Sequence, residues 1–156
     1  MTMNVEHVMT PCPYTCRYVD TLERAATIMA DHDCGCVPVV DDADMLVGLI
    51  TDRDVCLAAQ RERTSLDNIR VSLHMSSQVH ACRPDETLTE AADRMRAHAV
   101  RRLAVTDPSG KLLGLLSLDD IAVRGAASRN PDGIGLDANE IADTLAAVVP
   151  TRSYGP

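Results

Sequence analysis

Residues 48–55 read GLITDRDV and residues 114–121 read GLLSLDDI. Each begins at a glycine, passes two aliphatics, reaches a hydroxyl residue and sets an aspartate three positions after it. A β-rich run ending in Thr/Ser-x-x-Asp has the form of a strand passing straight into a capped helix. The two copies lie 66 residues apart, and that offset aligns residues 5–55 with 71–121 without a gap, 16 of the 51 pairs being identical. Among the identities are Met9 with Met75, Cys16-Arg17 with Cys82-Arg83, Thr21-Leu22 with Thr87-Leu88, His32 with His98 and Asp54 with Asp120. The chain is an internal duplication, which decides how the rest is read.

Each copy parses alike. Asp20 with Glu23 forms a capping box, and Leu22, Ala25, Ala26 and Met29 follow at i, i+3, i+4 and i+7, the stripe of an amphipathic helix. Asp85, Leu88, Ala91, Ala92 and Met95 repeat it, which puts both methionines in the core. Next come short β-rich runs, CVPVV at 36–40 and LAVT at 103–106, and turns at DDAD and DPSG. Second strands follow, LVGLI at 46–50 and LLGLL at 112–116, with helices opening at Thr51 and Ser117. The unit is helix, strand, turn, strand, helix, and one such unit cannot bury both its faces. Two packed back to back can, which predicts an α/β (α+β) body with pseudo-twofold symmetry.

The expected division is a first repeat over 1–60, a linker over 61–70 containing a short helix, a second repeat over 71–125 and a tail over 126–156. Within the tail, ASRNPDGIG reads as loop, DANEIADTLAAVV at 137–149 as a final helix with a D-x-x-E start, and TRSYGP as a frayed end.

Composition limits the function. Apolar residues make up 46% of the 156, with no Phe or Trp, so the core is built of Leu, Ile, Val, Ala and Met. No apolar run reaches the roughly 18 residues a membrane helix needs, and MTMNVEHVMT lacks the pattern of a secretory signal, so the expected location is the cytoplasm. The net charge of -8 speaks against non-specific nucleic-acid binding, which requires basic surface. Its distribution is uneven: residues 1–60 hold three Arg against ten acids, and residues 61–125 hold ten Lys or Arg against nine. A small anion therefore finds its counter-charges mainly in the second half.

On the residues alone, two readings of the repeated motif stay open. In one, Thr51-x-x-Asp54 and Ser117-x-x-Asp120 are only helix caps and the glycines only permit close packing. In the other, the unpaired N–H groups at the helix start receive an anion, while the carboxylate accepts from two neighbouring hydroxyls such as those of a ribose.

HDCGCVPVVDDADMLVGLITDRDV and HAVRRLAVTDPSGKLLGLLSLDDI, with the Met-Thr-Pro of residues 9–11, resemble the two halves of a CBS-domain pair, the tandem module named after cystathionine β-synthase. The resemblance covers residues 5–125. It implies two βαββα repeats, here followed by the C-terminal helix, with clefts between the copies that bind adenine nucleotides: AMP, ADP, ATP, or relatives such as NAD or S-adenosylmethionine. Carried over, Asp54 and Asp120 are the ribose acceptors, Thr51 and Ser117 stand beside them, and backbone of the first strand around Val37 holds the base. The resemblance further implies that basic residues before the strand of the opposite copy complete the phosphate site. Thr51, Arg53 and Asp54 are then expected opposite Arg101 and Arg102, and Ser117 and Asp120 opposite Cys34, Gly35 and Cys36, which offer no cation. One strong and one weak site are the expectation. Departures from the pattern are Ala104 in place of Pro38, and Ser76-Ser77 in place of Thr10-Pro11.

The six cysteines invite a metal or redox reading through Cys12, Cys16, Cys34 and Cys36, but C-x-C fits structural zinc poorly and free thiols in a reducing compartment are the first expectation. His32 and His98 read as stabilising helix C-termini; Arg17 and Arg83 are read either as phosphate ligands or as solvated. The sequence holds no nucleophile with a base and no G-x-x-x-x-G-K loop. The expected function is thus a non-catalytic regulatory module that binds an adenosine-containing nucleotide, forms a homodimer through its helices and acts on a regulated protein the sequence does not name. The alternatives are a ligand-free dimerisation module and a cysteine-based sensor.

Overall fold

The computed structural model describes residues 3–125 and 136–149. The expected loop at 127–135 and the expected frayed end at 151–156 lie outside them. In chain order the elements are β1 (Thr10–Pro11), β2 (Cys16–Arg17), α1 (Leu22–Asp31), β3 (Cys36–Val40), β4 (Leu46–Thr51), α2 (Asp52–Glu62), β5 (Ala81–Cys82), α3 (Leu88–His98), β6 (Arg102–Thr106), β7 (Leu112–Ser117), α4 (Leu118–Asp120) and α5 (Ala138–Val148). Short 3-10 turns at Val5–His7, Leu66–Asn68 and Val71–Leu73 join them, and Ile121–Gly125 continues α4 as a wider π turn. The architecture is α+β, with one sheet ordered β2-β3-β4 and another ordered β1-β7-β6-β5.

The strands form where the β-rich runs stand. All five residues of β3 are buried, as a continuous apolar run requires, whereas β4 buries only Gly48 and Ile50. β3 pairs antiparallel with β4, Val37 opposite Ile50, and β2 pairs parallel with β3. In the other sheet β5 runs parallel to β6. The Asp-Pro-Ser-Gly turn closes with Gly110 N–H donating to the Asp107 carbonyl at 3.0 Å, and Gly110 takes φ +90°, a conformation that suits glycine.

Two helix starts differ from expectation. α1 is capped by Thr21, whose hydroxyl accepts from Arg24 N–H, and the Asp20 carboxylate instead accepts from Arg17 N–H at 2.8 Å. α3 likewise starts at Thr87, in a capping box with Glu90 rather than at Asp85. In both, the hydroxyl one or two positions nearer the apolar stripe wins the cap. The helices after the second strands also diverge: α2 runs 11 residues, whereas α4 gives way after three to the π turn, where Arg124 donates to the carbonyls of Val8 and Met9.

The chain clusters into two compact units. One comprises Cys12–Val79 with Asp107–Leu113, the other the residues up to Pro11, His80–Thr106 and the chain from Gly114. Each unit thus takes the arm that precedes the other repeat's helix. In the first unit the Ser76 backbone exchanges two hydrogen bonds with Leu49, at 2.9 and 3.0 Å. In the second, β1 pairs antiparallel with β7, Thr10 opposite Leu115.

Each unit buries its own apolar cluster. Leu22, Ala25, Ile28, Val37, Val39, Ile50 and Ile69 form the first, and Leu88, Ala91, Met95, Leu103, Leu116 and Ile121 belong to the second. Both stripe methionines are buried, Met29 in the first and Met95 in the second. In the second unit, α5 starts at an Asp137–Glu140 capping box and packs on α3 through Thr144 and Val148. Arg96 donates to the Thr144 hydroxyl at 2.7 Å across that contact.

Candidate functional site

Both repeated motifs form the same local structure. Thr51 is the N-cap of α2: its hydroxyl accepts from Asp54 N–H at 3.2 Å, and the Asp54 Oδ2 accepts from Thr51 N–H at 2.9 Å and from its hydroxyl at 2.7 Å. Ser117 and Asp120 repeat it, with 3.0 Å from Asp120 N–H to the hydroxyl, 2.9 Å from Ser117 N–H to Oδ2 and 2.6 Å from the hydroxyl to Oδ2. One oxygen of each carboxylate is thereby committed to the cap. The other, Oδ1, makes no hydrogen bond among the described residues, and both carboxylates are only half-buried. Each carboxylate is therefore held rigidly, with one oxygen left over to accept.

The segments before β3 and β6 lie against these caps. Asp52 N–H donates to the Gly35 carbonyl at 3.2 Å, and Leu118 N–H donates to the Arg101 carbonyl at 3.0 Å. Arg101 and Arg102 therefore fall in the same compact unit as Ser117 and Asp120, while Thr51, Arg53 and Asp54 share theirs with Cys34, Gly35 and Cys36. Arg53 and Arg101 are exposed and Arg102 is half-buried, and none of the three side chains has an acidic partner among the described residues. At Gly35 a Cβ would lie 3.2 Å from the Asp52 carboxylate, so the first unit places an acid where the second has Leu118. Val37, its backbone included, is fully buried in the apolar cluster.

Arg17 is occupied structurally, donating to the Asp41 carbonyl at 2.6 Å and pairing with Asp42 and Asp44. The histidines at the helix ends have ring partners that the sequence reading lacked. His32 stacks on Tyr14, with centroids 3.4 Å apart, and His98 on His80 at 3.9 Å. The offset of 66 that relates His32 to His98 relates Tyr14 to His80, which was the available signal.

Cys12 is exposed, Cys34 half-buried, and Cys16 and Cys36 buried, and no group of three or more His, Cys, Asp or Glu among the described residues is placed to hold a metal. Cys16 lies on β2 and Cys36 on β3, and burial suits each as a small hydrophobe. Burial, followed by the charge of Asp20, pushes the Cys16 thiol up to about 12, and burial followed by the charge of Glu86 does the same for Cys82. A thiol whose folded pKa is raised above its unfolded value costs nothing below about pH 9. Stability is then lost as pH rises from there toward 12. Alkylation at pH 8 is expected to modify Cys12 and Cys56 rapidly, and Cys16 and Cys82 only after denaturation. Mass mapping checks this, and prompt native labelling of Cys82 would contradict it.

The family model described as "CBS domain" matches residues 5–61 and 69–125. The chain is 32% identical over 120 residues to the CBS domain-containing protein YhcV of Bacillus subtilis (strain 168), covering 77% of this chain and 84% of that protein. Its fold is similar to that of CBSX2 solved in complex with AMP, with a TM-score of 0.68 and 26% identity over 80% of this chain and 96% of that one. A conserved CBS domain protein of unknown function from Thermoplasma acidophilum superimposes with a TM-score of 0.76 at 23% identity, over 94% of this chain and 76% of the other.

Proposed function

Because the chain belongs to the CBS-domain family, as two tandem copies, we propose that it is a non-catalytic regulatory module that binds an adenosine-containing nucleotide: AMP, ADP, ATP or an NAD-like relative. The observation that carries this reading is the pair of equivalent carboxylates, Asp54 and Asp120, each fixed through one oxygen and free to accept through the other. A ribose offers two adjacent hydroxyls to such an acceptor, and hydrogen bonds to an ionised carboxylate are worth about 1.5–3 kcal/mol. Thr51 and Ser117 orient the carboxylates, backbone around Val37 meets the base, and Arg53, Arg101 and Arg102 supply the positive charge for phosphate. The likeness to a structure that holds AMP supports the class of ligand.

Calorimetric titration with AMP, ATP and NAD tests the reading. Asp54→Asn and Asp120→Asn, which keep side-chain size, are each expected to weaken the site they serve by at least about tenfold, the equivalent of one lost charged hydrogen bond. Unchanged affinity in both variants, or no binding by any nucleotide, defeats it. The structural reading then stands, because both capping boxes close without a ligand.

No helix among the described residues is long and apolar enough to cross a membrane. The proposal places the module in the cytoplasm as a homodimer acting on another protein. Support for association is the exposure of Leu57 and Val123, which the repeat relates to one another. Sedimentation equilibrium, with Leu57→Asp as the disrupting variant, is the check, and a monomer at every concentration would refute it.

A further inference from the structure

The two stacked ring pairs occupy equivalent positions but differ in chemistry. Tyr14 on His32, inclined by 8°, contains one imidazole, whereas His80 on His98, inclined by 17°, contains two. In a histidine pair the second proton must enter against the charge of the first. Backbone hydrogen bonds link His80 to the strand that carries Arg102, within one compact unit. The His80 carbonyl accepts from Ala104 N–H at 3.1 Å; Ala104 lies on β6, whose first residue is Arg102, and Arg101 next to it accepts from the residue that follows the Ser117 cap.

The charges on the surrounding elements are largely spoken for. Leading into α3, Glu86 pairs with Arg94, and Arg94 also donates to the Ala81 carbonyl. Arg96 pairs with Asp93 and Thr144, and α5, which packs on α3, adds Asp137, Glu140 and Asp143. After β7 come Asp119 and the capping Asp120. On β6 and just before it, Arg101 and Arg102 have no acidic partner among the described residues, so both guanidinium groups are available to an anion. Partial burial, and then the charge of His98, hold the His80 pKa below the ordinary imidazole value. The free protein thus loses stability as pH falls through the imidazole range, and an anion would reverse that.

Resting on the nucleotide reading above, we propose that the His80–His98 stack is a proton-linked phosphate contact: it takes up protons as the phosphate of a nucleotide arrives beside Arg101 and Arg102, so that binding tightens in acid. No bond is made or broken, and the protons come from solvent. Tyr14 with His32 lacks the second imidazole, so the linkage belongs to the second repeat.

The test is calorimetry of ATP with the full chain at pH 7.5 and 5.5, comparing wild type with His80→Tyr and His98→Asn, and with adenosine as the phosphate-free probe of wild type. His80→Tyr reproduces the Tyr–His stack that the first repeat already carries, so its fold has a precedent within the chain. ATP's own protonation is common to all three proteins and cancels in the comparison. Acid is expected to tighten ATP about tenfold in wild type, one pKa unit on one imidazole, and less than about threefold in either variant, with adenosine unaffected. Binding of ATP without a pH slope, or with the same slope in both variants, overturns the inference and leaves the nucleotide reading standing. Failure of both ATP and adenosine to bind at either pH overturns both.

Discussion

Gly48→Val is expected to lower the unfolding free energy by about 3 kcal/mol, and Gly48→Ala by about half as much. A Cβ at Gly48 would lie 2.6 Å from the Met75 sulfur and 3.0 Å from the Ser76 carbonyl oxygen. The sulfur ends a flexible side chain and gives way cheaply. The carbonyl does not, because Ser76 is pinned to Leu49 by two backbone hydrogen bonds that any retreat would stretch. Gly114 faces the same constraint, 2.5 Å from the Met9 sulfur and 3.1 Å from the Thr10 carbonyl. The glycine that opens the repeated motif is therefore fixed by the close approach of the arm, and φ plays no part. For a chain of this size the loss corresponds to a fall in Tm of roughly 6–12 °C. An alanine variant as stable as wild type in urea would show that the arm shifts freely.

Leu103→Ala is expected to cost about 2–5 kcal/mol, the range for an emptied core leucine. Leu103 is fully buried in β6, in the cluster with Met95, Leu116 and Ile121. One feature argues for the upper half: its strand is flanked on both sides in the sheet, so the backbone cannot sink toward the cavity. Urea unfolding followed by circular dichroism measures the loss, and a change below about 1 kcal/mol with an unaltered m-value would show that the site collapses.

The duplication made most of the fold legible. A gapless offset exposes both helices and both strand pairs at once, and apolar periodicity then places Leu22, Met29, Leu88 and Met95 in the core, as observed. The cap of α1 lies one residue past Asp20 because Asp20 and Thr21 are both good N-cap types, and the local turn that hands Asp20 to Arg17 N–H three residues before it leaves the cap to Thr21. The two-residue strands β1, β2 and β5 are too short to carry a period, so the exchange of arms between repeats leaves no local trace. The motif Thr/Ser-x-x-Asp fixed the capping geometry but not its purpose, since the cap and a sugar-binding carboxylate demand the same bonds. The ring stacks have no local spacing of their own, because Tyr14 and His32, and His80 and His98, meet through folding rather than through any helical or strand period.

The arm that ends at Pro11 belongs to the compact body of the later copy, and the stretch through Val79 to that of the earlier one. A solitary copy, such as an ancestor before duplication, would lack the piece that completes it unless a sister molecule supplied one in return. Within one chain that concentration-dependent trade is intramolecular, at the effective concentration set by a linker of about ten residues. The join therefore keeps two mutually incomplete halves together at any dilution.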